Sequence, residues 1–223
     1  GNDTENALAG SLLGKQGIHI IAGTGSIGLG IDLEGRYIRS GGWHHLFGGD
    51  EGSAYWIGCQ LLLHFTKQAD GREKKSRLYD YVMEKYALDC PEDILKLVIT
   101  SWQGKRDKIA GLSRDVGELA KQGDPNAVQI FGRAAEELAL IVKGIKSQGI
   151  FESPVNISYS GGVFKSMEYL RPGLEDALGE IPHHLCEPQL LPVGGGILLA
   201  CEKSGGSVNK EMVENLKMAQ NIV

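Results

Sequence analysis

The 223-residue sequence predicts an α/β domain with a mixed β-sheet, and three observations carry that prediction. Short alternating apolar segments follow one another between residues 17 and 40. Helical periodicity then fills residues 50 to 149, and the remainder alternates strand, helix, strand, helix. With 42% hydrophobic and 23% charged residues the composition is that of a folded chain, which excludes intrinsic disorder.

Taken in order, Asp3 to Leu13 place Ala7, Leu8, Leu12 and Leu13 at helical spacing, with Asp3 and Glu5 in the first turn, where the helix dipole favours acids. Ile18, Ile20 and Ala22 alternate with His19 and Ile21 in a nearly all-apolar run that suits a buried strand and ends at Gly23-Thr24-Gly25-Ser26. Ile27 to Leu33 alternates again, Glu34-Gly35 makes a turn, and Arg36 to Ser40 returns, giving three consecutive antiparallel strands. From Asp50 the period is helical, with Ala54, Ile57, Leu61, Leu62 and Phe65 on one face. Further helices are expected at Ser76 to Ala87, Pro91 to Gln103 and Arg114 to Lys121. The clearest helix opens at Asp124-Pro125, an N-cap residue followed by proline. It carries Val128, Phe131, Ala135, Leu138, Ala139, Val142 and Ile145 toward a core and stops at Gly149. There follow a strand at Val155 to Tyr159, the turn Ser160-Gly161-Gly162, a helix through Leu170 and then Leu174 to Leu178, and a short strand around His184 to Cys186. A helix opened by Gly194-Gly195-Gly196 and a last amphipathic helix from Asn209 complete the chain. Three antiparallel strands, a helical block, then strand-helix-strand-helix is the order that one ribonuclease-H-like lobe shows.

Lys plus Arg number 23 against 28 for Asp plus Glu, so no basic surface is available for a run of phosphates and nucleic acid is excluded as a partner. The longest apolar stretch, Leu190 to Ala200, is broken by Pro192 and three glycines and is far short of the roughly 20 residues of a membrane span. No signal peptide is visible. Cys59, Cys90, Cys186 and Cys201 show no metal-type spacing and read as reduced thiols, so a cytoplasmic protein is expected. Because the chain opens on Gly1, residues 1–223 are expected to be an excised piece of a longer protein.

Glycine is the compositional outlier, 32 of 223 residues, about twice the usual share of roughly 7%. Its clusters mark loops where backbone must approach something closely. Gly23-Thr24-Gly25-Ser26-Ile27-Gly28 satisfies GxGxxG, but Ile27, Leu29 and Ile31 continue with a strand period where a dinucleotide fingerprint must open a helix. The GTGS residues are therefore a hairpin turn, either a plain tight turn or a nest of N–H groups and hydroxyls for a phosphate. The second cluster runs from Ser40 to Trp56 and sets Trp43 and Trp56 beside Asp50 and Glu51 among glycines. Aromatic faces next to carboxylates suit a sugar, and Asp50 and Ser53 also stand where they would cap the next helix. His44-His45 has no third ligand spaced to make a metal site, and no metal ligand is assigned. Gly161-Gly162 and Gly194 to Gly196 each stand at a helix N-terminus, which suits either a phosphate or nucleotide or close helix–strand packing.

Taken together, Asn2-Asp3 before a small-residue helix, the GTGS turn, the run GGW…GDEGSAYW, the Gln122-Gly123-Asp124-Pro125 approach to a long helix and the SGGVFKS turn resemble the N-acetylglucosamine kinases and the wider BadF/BadG/BcrA/BcrD ATPase family, from Asp3 to about Ala200. The resemblance implies the actin-like ATPase fold, two ribonuclease-H-like lobes closing on ATP with Mg²⁺. It implies phosphorylation of an amino sugar, usually at the 6-hydroxyl of N-acetylglucosamine. On the matching positions Asp3 is the general base; Thr24, with Gly25 and Ser26, forms the second phosphate loop; Ala120, Gly161 and Gly162 adjoin the nucleotide; and Gly42, Trp43 and Asp50 contact the sugar. The family leaves a homodimer open.

Two departures follow. His44 to Gly48 is five residues where kinases of this group usually have four, so the sugar loop is shaped differently. The family's first phosphate loop, an acidic glycine-rich hairpin in the first lobe, has no counterpart here, so the chain is expected to be the second lobe, inactive or nearly so alone. Two rival expectations come from the same resemblance: an ATPase that drives electrons into a reductase or dehydratase, and an amino-sugar sensor that has lost turnover.

Overall fold

A computed structural model describes residues 2–220. The chain opens with α1 (Asp3–Leu12), capped by Asn2, whose Oδ1 accepts the Glu5 N–H at 2.9 Å. Then come β1 (Gly17–Ala22), β2 (Ser26–Ile31) and β3 (Tyr37–Gly41). The helical block holds α2 (Ala54–Ala69), α3 (Arg77–Lys85), α4 (Asp93–Leu95), α5 (Arg106–Gly111), α6 (Ser113–Lys121) and α7 (Pro125–Lys146). The last part holds β4 (Val155–Ser160), α8 (Met167–Leu178), β5 (His183–Cys186), α9 (Pro192–Lys203) and α10 (Lys210–Gln220). The five strands form one mixed sheet in the order β3-β2-β1-β4-β5, with β1, β2 and β3 antiparallel and β4 and β5 parallel to β1. This is the α/β architecture with a mixed sheet that the sequence predicts.

Strand alternation assigns the two faces. Ile18, Ile20, Ala22 and Ile157 join the main core with Phe65, Phe131, Leu138 and Val142, between the sheet and the helical block. On the opposite face Leu29 meets Leu8 and Leu12 of α1. On β2 the face toward α7 carries glycines: a Cβ on Gly28 would lie 2.4 Å from Ile141 and one on Gly30 2.6 Å from Ile145. Those two isoleucines occupy the volume that side chains on β2 would fill, and the long helix is thereby drawn onto the sheet.

The structure departs from the periodicity reading in four places. β2 ends at Ile31, not Leu33, because Asp32 takes over the chain: its Oδ1 accepts the N–H groups of Glu34 and Arg36 at 3.0 and 2.9 Å and closes the turn. The helix expected over Pro91 to Gln103 is a short α4 running into a π-helical stretch, Lys96–Ser101, followed by left-handed Gln103 and Gly104. The six residues of α5 carry too little periodicity to be read at all. On α7 Phe131, Ala135, Leu138, Ala139, Val142 and Ile145 are buried as expected, but Val128 is exposed, Ala127 and Ile130 open the buried face in its place, and the helix ends at Lys146, short of Gly149.

Candidate functional site

The hairpin joining β1 to β2 is Gly23-Thr24-Gly25, and its shape is set by the start of α2. The Gly23 N–H donates to the Gly25 carbonyl at 2.9 Å, while the carbonyls of Gly23 and Thr24 accept the N–H groups of Ala54 and Tyr55 at 2.9 and 3.3 Å. Among the described residues, the N–H groups of Thr24 and Gly25 do not enter that scaffold, so the turn presents adjacent donors, as an anion nest requires. Burial, then contact with Cys59, pushes the Tyr55 phenol up and keeps it neutral beside the turn. Four residues before the turn, His19 is enclosed between the Ser158 and Ser160 hydroxyls at 2.7 and 2.9 Å, and burial lowers its pKa to about 4.

Behind the turn lies Asp50, which is buried and held at φ 67°. Its Oδ1 accepts the Ser26 N–H at 3.2 Å and its Oδ2 accepts Arg106 Nη2 at 2.5 Å, while the Ser26 hydroxyl donates to the Glu51 carbonyl at 2.6 Å. Asp50 therefore ties the sugar-type loop to the turn and does not cap α2. Ser53 does that, accepting the Trp56 N–H at 3.3 Å. Glycine at position 25 leaves room for this ion pair, since a Cβ would stand 2.4 Å from both Asp50 Oδ1 and Arg106 Nη2 and displace them.

The loop from Gly41 to Asp50 is stapled by Arg39, whose Nη2 donates to the Gly42 carbonyl at 2.6 Å and whose guanidinium lies 5.5 Å from the Trp43 ring centre. Gly42 has φ 68° and packs on Ile27. The Trp43 indole is 70% exposed. The rings of His44 and His45 lie 4.3 Å apart and tilted, His44 Nδ1 accepts the Leu46 N–H at 3.3 Å, and His45 packs edge-on against Tyr55. Among the described residues no three His, Cys, Asp or Glu gather as a metal site.

On the other side of the turn a cleft of about 680 Å³ opens between Gly23-Thr24, α5, α6 and the 3-10 turn Gly162–Ser166 that follows β4. Four of its lining residues are glycines with room to spare. A Cβ on Gly23, Gly111 or Gly162 would meet nothing within 4 Å, and one on Gly117 would meet only Ser166 Oγ, at 3.7 Å. Bare backbone walls of this kind admit a flat ring, and the rim mixes Arg114, Lys121 and Lys165 with Asp107, Glu118 and Glu168, Lys121 being paired with Glu118 at 3.1 Å.

Thr24 and Gly162 of the expected nucleotide residues line this cleft. Gly161 stands behind it at φ 107°, packed on the carbonyl of Ala22. Ala120 points into the core at 4% exposure; on the same helix Gly117, one turn earlier, lines the cleft in its place. Gly194 to Gly196 take the packing role: a Cβ on Gly195 would lie 1.9 Å from the Asn6 carbonyl oxygen and 2.3 Å from Gly10 N, so these glycines let α9 cross α1 at backbone contact. Asp3 is exposed at the first residue of α1. Sequence reasoning missed Arg106 and Gly117, the first in an unread helix and the second within a helix with no motif around it.

A mixed five-stranded sheet thus carries a hairpin with an open glycine-walled cleft on one side and a carboxylate-anchored tryptophan loop on the other. Residues 2–200 match the BadF/BadG/BcrA/BcrD ATPase family, and the chain belongs to it. It is 38% identical over 170 residues to an N-acetylmuramic acid/N-acetylglucosamine kinase of Clostridium acetobutylicum, covering 76% of this chain and 55% of that one. It is 35% identical over 212 residues to an N-acetyl-D-glucosamine kinase of Dictyostelium discoideum, covering 89% and 64%. A solved structure from Chromobacterium violaceum, assigned as an N-acetylglucosamine kinase, superposes with a TM-score of 0.71 at 26% identity over 89% of this chain and 64% of that one. The chain thus spans 55% to 64% of the length of these relatives.

Proposed function

We propose that this chain is the second lobe of a two-lobe, ATP-dependent kinase that phosphorylates an amino sugar of the N-acetylglucosamine type at its 6-hydroxyl. The observation that carries the reading is the shared turn: Thr24 opens to the glycine-walled cleft, while Ser26, two residues on, is bonded to Asp50 of the tryptophan loop. Nucleotide and sugar would then meet at one hairpin, and phosphoryl transfer needs that juxtaposition.

In this reading Gly162 and Gly117 leave space for the nucleoside, and the N–H groups of Thr24 and Gly25 and the Thr24 hydroxyl hold phosphate oxygens. Gly42, Trp43 and Asp50 orient the sugar. Asp3 accepts the proton of the 6-hydroxyl as its oxygen bonds to the terminal phosphorus and the bond to the bridging oxygen breaks, releasing ADP. Mg²⁺ bound with ATP would neutralise phosphate charge. Among the described residues no helix is long and apolar enough to cross a membrane, and all four cysteines are unpaired. A reducing, ATP-rich cytoplasm fits those thiols.

The test is ADP release by the complete gene product with Mg²⁺-ATP, first without sugar and then with N-acetylglucosamine, glucosamine or glucose. Release that depends on an amino sugar supports the kinase. Release indifferent to sugar points to the ATPase activators of the same family, and sugar binding without release points to a sensor.

A further inference from the structure

Building on the reading of Asp50 as a sugar ligand, we propose that Arg106 is the positioning residue that makes Asp50 competent to receive sugar hydroxyls, and that it does so from the wall of the nucleotide cleft. Asp50 is an unusual ligand. Its side chain is 8% exposed, and its backbone sits at φ 67°, a conformation that residues other than glycine adopt at a cost. Such a carboxylate needs fixed bonds to stay oriented.

Arg106 provides such a bond at 2.5 Å, and the Ser26 N–H at 3.2 Å adds a weaker second hold. Together they use two of the roughly four acceptor sites of a carboxylate, which leaves acceptors on it for hydroxyl donors. The ligand class selected is therefore a hydroxyl donor such as a polyol.

The guanidinium is itself closely placed. Its Nη2 fills the space where a side chain on Gly25 would stand, and its Nε is enclosed without an acceptor among the described residues, so the bond to Asp50 is what fixes it. Arg106 is the first residue of α5, and Asp107, Ala110 and Gly111 of the same helix line the nucleotide cleft. One short helix thus carries both a wall of the nucleotide cleft and the anchor of the sugar-side carboxylate.

The experiment compares Arg106→Gln, Arg106→Lys and Asp50→Asn in the complete gene product, with KM for sugar and KM for ATP measured separately and thermal midpoints recorded. Arg106→Gln is expected to raise the sugar KM roughly tenfold or more, the scale of a lost charged hydrogen bond, with the ATP KM within about twofold. Arg106→Lys, which keeps the charge and loses the fork, is expected to recover part of that loss. Equal rises in both KM values, or no rise in either, would overturn the proposal, since the first describes a general support of the turn and the second a bystander. Asp50→Asn separates the two levels. If it raises the sugar KM while Arg106→Gln does not, positioning by Arg106 is wrong and the sugar reading stands; if Asp50→Asn leaves the sugar KM unchanged, the reading beneath the proposal fails.

Discussion

Gly161 packs against the carbonyl of Ala22 so closely that a Cβ on it would stand 2.3 Å from that oxygen, and this contact locks the end of β4 to the end of β1. Both strands give way there to the segments that line the nucleotide cleft: the GTGS turn after β1 and the 3-10 turn after β4.

Gly161 and Gly162 should therefore respond very differently to a single methyl group. Gly161→Ala meets a backbone oxygen and a φ of 107°, a conformation essentially confined to glycine, so a loss of roughly 2 kcal/mol or more is expected. Gly162→Ala meets nothing within 4 Å and should leave stability nearly unchanged while raising the KM for ATP, because its methyl group projects into open cleft. Thermal midpoints and ATP kinetics on the pair check this; equal behaviour of the two variants would contradict the geometry.

The legible part of this fold is the part set by local chemistry. The GTGS hairpin could be separated from a dinucleotide loop because Ile27, Leu29 and Ile31 keep a strand period, and the structure places β2 there. The Asp124-Pro125 start of α7 was legible for a similar reason, its Oδ1 accepting the Ala127 N–H at 3.0 Å. What stayed hidden depends on partners far along the chain. Asp50 and Arg106 meet across 56 positions, and nothing near either residue announces the other. Gly194 to Gly196 share the local pattern of a ligand-binding helix start, and only the arrival of Asn6 and Gly10 from α1 makes them a packing surface. Which glycine faces a ligand and which faces a backbone is a tertiary fact.

His19 gives the fold an acid sensitivity of definite sign. Burial holds its pKa at about 4, whereas the unfolded chain takes up the proton near the ordinary 6.5. The unfolded state thus binds more protons between those values. Stability is complete above pH 6.5 and declines as pH falls toward 4, by roughly 3 kcal/mol in all. Urea midpoints measured from pH 7.5 to 4.5 should fall more steeply for the wild type than for His19→Gln. Parallel curves would mean that another group carries the slope.

Trp43 is expected to act on sugar alone. Its indole is 70% exposed with Arg39 on one side, and it does not line the nucleotide cleft. Trp43→Ala should weaken N-acetylglucosamine binding on the order of tenfold, the scale of a lost aromatic contact, with ATP affinity little altered. Titration calorimetry with each ligand separately reads the difference, and a selective loss of ATP affinity would assign the loop to the wrong ligand.

Asp3 separates binding from chemistry most sharply, because its proposed task exists only while the hydroxyl proton is moving. It is exposed at the first residue of α1, where Asn2 already supplies the cap, so its carboxylate is not needed to hold the helix end. Asp3→Asn keeps the shape and removes the proton acceptor. In the complete gene product the variant is expected to lose roughly 100- to 10,000-fold in kcat, the usual contribution of a general base, while its dissociation constant for sugar stays within a few-fold of the wild type. Steady-state turnover and equilibrium sugar binding on the same preparation give both numbers. Unimpaired turnover would remove Asp3 from the role of base, and a parallel collapse of sugar binding would make it a sugar ligand instead.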